Sequence, residues 1–521
     1  MWWLAIAGCI EAQYAPIEEA VEKPVVLSNA AMTRRLSFDL RGVPPSLEEL
    51  ATAEEDPDGW IGVRNAYIND ERLGERMVHL YAEKWHTRVD VFDIVAFDYG
   101  LDASLEYAFE RAVGEEPLRI ISRVITEDLP WSEIVTADWT MSNEILGSIW
   151  PLDYTDTQTG WQVSHYTDGR PTAGVLSTNG LWWRYTTTSS NMNRGRAATI
   201  SRLLLCEDYL DRPVAFSEAD TSETTTADAA QEDPYCLACH ASLDPVAASL
   251  FGFWWLSLYS EIEETTYHAE RESLWNTYLG VAPAWYGTPI SGLPDLGVSV
   301  ANDSRFYACA VETLAEGLWR RNTTNEDASE LEQLRAHFLR SDATMRPLIA
   351  AITETESYRD PTPRMLSHDQ LISSLDSLTG FQWTLDGFDQ LDSDESGYRL
   401  LAGGVDGVTI KTPQREPGLT WALVVKRAAE AAASHAVQTE LVESGERKLF
   451  TEVTLDHQPS DDAFSEELES LHLRLYGTVA SQAWINEVSD LWSDIQSIDG
   501  TESAWRTTIS VLLRDPAFMT Y

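Results

Sequence analysis

Cys236-Leu237-Ala238-Cys239-His240 constrains this chain more than any other stretch. It has the C-x-x-C-H form of a c-type haem attachment signal, in which two thiols add to the haem vinyl groups as thioethers and the adjoining imidazole ligates the iron. If the signal is used, the protein is expected to be exported, because attachment through C-x-x-C-H takes place outside the cytoplasm, and its fold to shelter a large planar cofactor. The chain holds only 5 Cys in 521 residues. On composition alone the motif would arise by chance in roughly one such sequence in a thousand. The competing readings are a redox dithiol, half of a zinc site and an ordinary disulfide loop. A zinc site wants a second C-x-x-C or H-x3-5-H, which the sequence lacks, and a thioredoxin-type dithiol wants a βαβ context, which its periodicity does not suggest.

The expected cofactor is therefore one covalent haem c, bound through Cys236 and Cys239 with His240 as the proximal iron ligand. The distal ligand decides the chemistry: methionine or a second histidine closes the iron for electron transfer, and an open position admits small molecules or peroxide. Met192, in a Ser/Thr/Asn-rich loop ahead of the motif, is the leading candidate for the second axial metal ligand, with Met141 and His268 as rivals. A methionine in a loop also serves ordinary packing. Arg194 and Arg196 are candidates to pair with the haem propionates, since guanidinium forks match carboxylates; the equal alternative is an ordinary surface or structural ion pair. Asp244, followed by Pro245, is read first as the cap of the next helix and second as a carboxylate that orients His240 through its other ring nitrogen.

The N-terminus carries a second address. Ile6-Ala7-Gly8-Cys9 resembles a bacterial lipobox, which makes Cys9 the expected lipidation site, although the apolar run before it is short and no Lys or Arg precedes it. With Cys9 assigned to lipid and Cys236 and Cys239 to haem, Cys206 and Cys309 remain as an even pair in an oxidising compartment. A Cys206–Cys309 disulfide is expected, the alternative being two buried thiols. No later segment approaches 18 uncharged apolar residues, so membrane contact is expected only through the lipid anchor. The localisation that follows is the bacterial cell envelope, lipid-anchored or periplasmic/extracellular. Lys and Arg total 37 against 84 Asp and Glu, a formal charge of −47. That balance argues against nucleic-acid partners, which need clustered positive charge.

Length suggests about three or four domains, and the periodicity is mostly helical. Residues 1–28 read as a lipoprotein-type signal and tether, and 29–150 as an N-terminal helical domain. Gly42-Val43-Pro44-Pro45 stops its first helix, and Ser46 with Glu49 forms a capping-box pattern for the next. Residues 151–300 read as a Trp/Thr-rich irregular layer, with a short hairpin, leading into the cytochrome-c-like haem segment. Residues 301–380 and 381–521 read as two further helical modules. Arg35 to Leu73, Leu318 to Tyr358 and Leu475 to Phe518 share one plan of a Leu-bearing opening followed by two helices, with a period of about 40 residues. The fold class expected is thus mostly α: a multi-module helical assembly with a cytochrome-c-like haem-binding segment and long irregular loops.

Several blocks resemble the large secreted cytochrome-associated proteins of planctomycetes and myxobacteria, which are built from domains of unknown function. Thr33-Arg34-Arg35-Leu36-Ser37-Phe38-Asp39-Leu40-Arg41-Gly42-Val43-Pro44-Pro45 is similar to that family's R-L-x-x-D-L-x-G-x-P-P opening. Thr136-Ala137-Asp138-Trp139-Thr140-Met141-Ser142-Asn143-Glu144 is similar to its T-A-D-[YW]-T-x-x-N-E block. Asn193-Arg194-Gly195-Arg196-Ala197 with Leu203-Leu204-Leu205-Cys206 resembles its R-G…L-L-C segment, and Phe306-Tyr307-Ala308-Cys309-Ala310-Val311 a downstream F-x-x-C-V segment. Cys236 to Phe253 follows its C-x-x-C-H-x-x-[IL]-D-P-x-x-x-x-L-x-x-F pattern. The resemblance runs from about residue 29 to about residue 380. It implies a secreted haem protein and supplies no reaction.

The function expected is electron transfer by an exported c-type haem protein, with a redox partner protein in the envelope. The alternatives are a haem oxidoreductase with an open iron acting on peroxide or an organic substrate, and a non-catalytic surface protein that binds polysaccharide through Trp182-Trp183 and Trp254-Trp255. Whether the chain is an enzyme stays open. It contains no G-x-S-x-G, P-loop or H-E-x-x-H.

Overall fold

The structure is a computed structural model that describes residues 27–56, 58–155, 159–211, 234–254 and 267–521. It is 60% helix and 4% strand, as the helical periodicity leads one to expect. Among the described residues the strands form three short antiparallel pairs, of which Thr140–Ser142 with Gln162–Ser164 is the longest. Within 151–195, where a short hairpin is expected, Leu152 pairs antiparallel with Tyr166 in an isolated bridge, and Gln162–Ser164 extends the pairing to the upstream strand Thr140–Ser142.

The local signals at the N-terminal end act as the sequence implies. Helix Asn29–Arg41 stops at Gly42, whose φ of 76° is left-handed and suits glycine. Ser46 and Glu49 close a reciprocal capping box at the start of helix Leu47–Glu54, and both oxygens of Glu49 accept from Arg41 (2.6 and 2.9 Å). Helix Arg72–Trp85 packs along Glu106–Thr126. The latter is buried almost continuously from Phe109 to Ile125 and contains Pro117. Pro117 has no N–H for the carbonyl of Val113. Gly180 lies against that carbonyl so closely that a Cβ there would sit 2.1 Å from it. Gly180 also donates its N–H to Glu116 Oε2 (2.8 Å). A bare backbone at residue 180 thus lets helix Asn179–Arg184 dock on the proline-bearing helix.

Hydrophobic packing gathers into one large core that runs from Met32 to Tyr358, a second from Met365 to Phe518, and a small satellite from Val89 to Trp183. The cores are coarser than the expected modules. The first spans the sequence boundaries drawn at 150 and 300, because helices from 29–150, 194–205, 234–248 and 293–354 all bury their apolar faces on each other.

Cys206 and Cys309 form the expected disulfide, with Cα atoms 5.2 Å apart. It fastens the end of helix Arg194–Leu205 to helix Ser304–Trp319, two elements separated by 103 residues in sequence.

Candidate functional site

The C-x-x-C-H motif lies in the first turns of helix Pro234–Ala248. Residues 236, 239 and 240 stand at i, i+3 and i+4, so Cys236, Cys239 and His240 share one face about 100° wide. Both cysteines are free thiols and half-buried, and Cys239 packs against the large core. Asp244 continues the same face one turn further on. His240 Nδ1 lies 2.9 Å from Asp244 Oδ1, and Nε2 has no protein partner among the described residues. One ring nitrogen is therefore held by a carboxylate while the other is left available, which is the arrangement that fixes the tautomer and orientation of a metal-ligating imidazole.

Asp244 is itself held. Arg194, the first residue of helix Arg194–Leu205, donates from Nε to Oδ1 (2.7 Å) and from Nη2 to Oδ2 (2.9 Å), a two-pronged guanidinium–carboxylate pair. Burial opposes ionisation of Asp244, but the hydrogen bonds from Arg194 and His240 outweigh it and hold the carboxyl below its ordinary pKa. The two helices pack directly on each other, so the chain Arg194–Asp244–His240 crosses their interface.

Two sequence expectations change here. Asp244 does not cap a helix: the helix that starts at Pro234 runs through it to Ala248, and its carboxylate serves His240 and Arg194 instead. Arg194, expected on a cofactor carboxylate, has its fork on the carboxylate of Asp244. Arg196 is likewise interior and fully buried. It donates to the carbonyls of Tyr185 (2.8 Å), Trp182 (3.0 Å) and Phe253 (2.6 Å), and burial lowers its pKa to about 9.

Asn193 is a positioning residue that the sequence did not single out. Its backbone is left-handed (φ 64°), it is fully buried, and its amide donates to the carbonyl of Leu250 (3.0 Å) while its carbonyl accepts from Arg196 (3.1 Å). Asn193 and Arg196 together clamp segment 250–253, just beyond the motif helix, onto the helix that supplies Arg194. The only sequence signal was an Asn beside arginines in an N-R-G-R string, because acceptors some 57 residues away leave no local trace.

Met192 directly precedes this clamp, with a left-handed backbone (φ 54°) and a half-buried side chain against the large core. It sits at the Arg194 end of the site by chain position. Its rivals stand elsewhere: Met141 is buried in the strand Thr140–Ser142, and His268 Nδ1 faces Glu270 at 3.2 Å. Cys9 lies outside the described residues. Trp182, Trp183 and Trp254 are buried at 0%, 5% and 0% exposure, so these rings fill the interior and offer no face to a polysaccharide. Trp255 lies outside the described residues.

Among the described residues, no three His, Cys, Asp or Glu side chains group into a metal site, and no helix is long and apolar enough to cross a membrane. Haem c asks for less from the protein: two accessible thiols and one oriented imidazole. The residues present fit that requirement. No family model, curated protein or solved structure matches this chain.

Proposed function

We propose that this chain is an exported c-type haem protein that transfers electrons through a single haem attached at Cys236 and Cys239. The observation that carries the reading is the relay Arg194–Asp244–His240 beside two free thiols on one helix face. When bound, the haem supplies a one-electron couple. The protein's part is to present His240 Nε2 in a fixed orientation, with Nδ1 anchored by a carboxylate that stays ionised to low pH. An anionic partner on Nδ1 makes the imidazole a stronger donor, which favours the oxidised metal. Met192 would supply a second ligand to the iron on the sequence pattern alone, since its neighbour Arg194 stands on the Nδ1 side of His240, opposite Nε2. The resemblance to secreted cytochrome-associated proteins, the lipobox-like Cys9 and the envelope location belong to the same proposal. The acidic surface points to an electron partner that presents a basic patch.

The test is a pyridine haemochrome spectrum on protein produced with the bacterial haem-attachment machinery, after acid–acetone extraction of loose haem. A c-type band that survives extraction, and is absent from the Cys236→Ala/Cys239→Ala double variant, is the expected result. A soluble, folded protein with no band overturns the reading and leaves Cys236 and Cys239 as a dithiol.

A further inference from the structure

Lys84, near the end of helix Arg72–Trp85, rests its ammonium on the disulfide. Nζ donates to Cys206 Sγ at 3.0 Å. Among the described residues no other acceptor lies within hydrogen-bond distance of it, and the carboxylate it faces, Glu316 Oε2, is 4.0 Å away. A disulfide sulfur is neutral and a weak acceptor, so the ammonium gains little from it. A thiolate at the same place would accept a charge-assisted hydrogen bond. Burial lowers the Lys84 pKa, with Glu316 and Glu312 opposing it.

The other groups around the bond also suit its reduced form. The carbonyl oxygen of Cys309 lies 3.7 Å from Cys206 Sγ, and that of Leu203 lies 3.7 Å from Cys309 Sγ. Each is within reach of an S–H donor, and a disulfide has no S–H to give. Thr313 Oγ1 stands 3.8 Å from one sulfur and 3.9 Å from the other, where its hydroxyl can donate to a thiolate. A void of about 10 Å³ lined by Cys309, Thr313, Leu203 and Phe306 leaves slack for the sulfurs to part. Cys206 is half-buried and the Lys84 side chain 27% exposed, so the bond is open to attack from the Cys206 side, whereas Cys309 is buried. Some charges oppose a thiolate at Cys206. They are the carbonyl end of helix Arg194–Leu205, equivalent to about half a charge, and Glu312 and Glu316 on helix Ser304–Trp319. Glu207, next in sequence, is neutralised by Arg305 (2.8 Å). Among the described residues none of these carboxylates touches the sulfur, and the full charge of Lys84 does.

We propose that the Cys206–Cys309 disulfide is an exchange site for a dithiol reductant, with Lys84 as the group that holds the released thiolate. The reductant's thiolate attacks the half-buried Cys206 sulfur, forms a mixed disulfide with it and expels Cys309, which takes up a proton. The reductant's second thiol then attacks its own bonded sulfur, and Cys206 leaves as a thiolate paired with Lys84. Two electrons pass to the protein, the reductant ends as a disulfide, and its two protons end on Cys309 and in solvent. A cation beside a thiol lowers its pKa. A thiol of low pKa leaves faster and stabilises the reduced pair. Opening the bond would release the far end of the helix whose first residue, Arg194, holds Asp244. That consequence for His240 rests on the haem reading, and the exchange itself does not.

The experiment uses the full chain carrying Cys236→Ala and Cys239→Ala, so that neither haem nor the motif thiols contribute. It is equilibrated in buffers of reduced and oxidised glutathione at pH 8, and the state of Cys206 and Cys309 is read by differential alkylation and peptide mass spectrometry. The bond should open within the glutathione range while far-UV circular dichroism keeps its folded signal. Lys84→Met should move the midpoint toward the disulfide by about threefold or more, as loss of the thiolate's cation requires. In the reduced chain, the pH dependence of the Cys206 alkylation rate should place its thiol below the ordinary value of about 8.5. If Lys84→Met does not fold, this titration decides the question alone. A bond that resists glutathione and opens only with unfolding, a midpoint unchanged in Lys84→Met, or a Cys206 thiol at or above the ordinary value would overturn the proposal and leave the disulfide as a permanent staple.

Discussion

Asp244 is the residue on which the candidate site turns, because it is bonded on both sides. Its side chain is 5% exposed and Arg194's 20%, so the pair is largely shielded from solvent screening. In Asp244→Asn the guanidinium loses its counter-charge and His240 loses its anionic anchor. A loss of about 1–3 kcal/mol is expected at neutral pH, measured by urea unfolding of the wild type and the variant. The pH dependence follows from the depressed carboxyl. Its stabilisation is fully present above the unfolded carboxylate value of about 3.9 and disappears as pH falls through the lower folded value. The two proteins should therefore converge in stability on acidification below about pH 4. In the haem-loaded form the Asn variant should show a higher midpoint potential, since a less basic imidazole favours the reduced metal. Equal stability at pH 7 would remove Asp244 from its assigned role. The placing of Cys236, Cys239 and His240 on one helix face was legible in the sequence because the i, i+3, i+4 spacing is local. The role of Asp244 was only half legible: an Asp-Pro pair ordinarily marks a helix start, and nothing in the local string reveals a helix that continues through it with Arg194 opposite.

Among the elements, the three related stretches seen in the sequence share a structural plan. Helices ending at Arg41, Trp319 and Tyr476 are each closed by a left-handed residue, Gly42, Arg320 and Gly477. Each is followed by a pair of helices: Leu47–Glu54 with Gly59–Ile68, Ala328–Arg340 with Met345–Glu354, and the two halves of Gln482–Leu512. In the last of these the break is a single residue, Gly500, with φ 85° and ψ 172°. That backbone region belongs almost wholly to glycine. A Cβ at 500 would meet nothing within 4 Å, so Gly500→Ala isolates backbone strain from packing. The expected cost is about 1–3 kcal/mol by chemical denaturation. A neutral or stabilising result would mean that the two halves can merge into one straight helix. This plan was legible because caps and apolar periodicity are local signals. The docking of Asn179–Arg184 on the proline-bearing helix was not, because it depends on a carbonyl freed by Pro117 and a bare backbone at Gly180, 63 residues apart in sequence.

Across the whole molecule, a chain with 37 basic residues and 84 acidic ones places much of its scarce positive charge inside. Twelve arginines are buried among the described residues, and many lie where the two cores meet. Sequence composition gives the net charge and cannot show this sorting, since a guanidinium bound to distant carboxylates looks like any surface arginine in the string. The sorting makes the seam a device that couples the cores. Asp392, with 3% of its side chain exposed, accepts from Arg88, from Arg111 and from the hydroxyl of Tyr107 (2.6 Å). These donors come from the first part of the chain, whereas Asp392 follows directly on Leu391 of the second core. Burial opposes its ionisation, but Arg88, Arg111 and Arg399 outweigh that and hold its carboxyl well below the ordinary range. Its contribution is therefore present at every pH above about 3.9 and is lost only on descent through the lower folded value. Asp392→Ala takes one of two carboxylate partners from each of Arg88 and Arg111, which keep Glu115 and Asp90, so a loss of about 1–3 kcal/mol is expected. Because the lost contacts join the cores rather than build either one, the damage should fall on cooperativity. Urea unfolding followed by tryptophan fluorescence and by far-UV circular dichroism should coincide for the wild type and separate for the variant. Coincident curves in the variant, with a shift below about 1 kcal/mol, would show that apolar contact holds the two cores together without the Asp392 cluster.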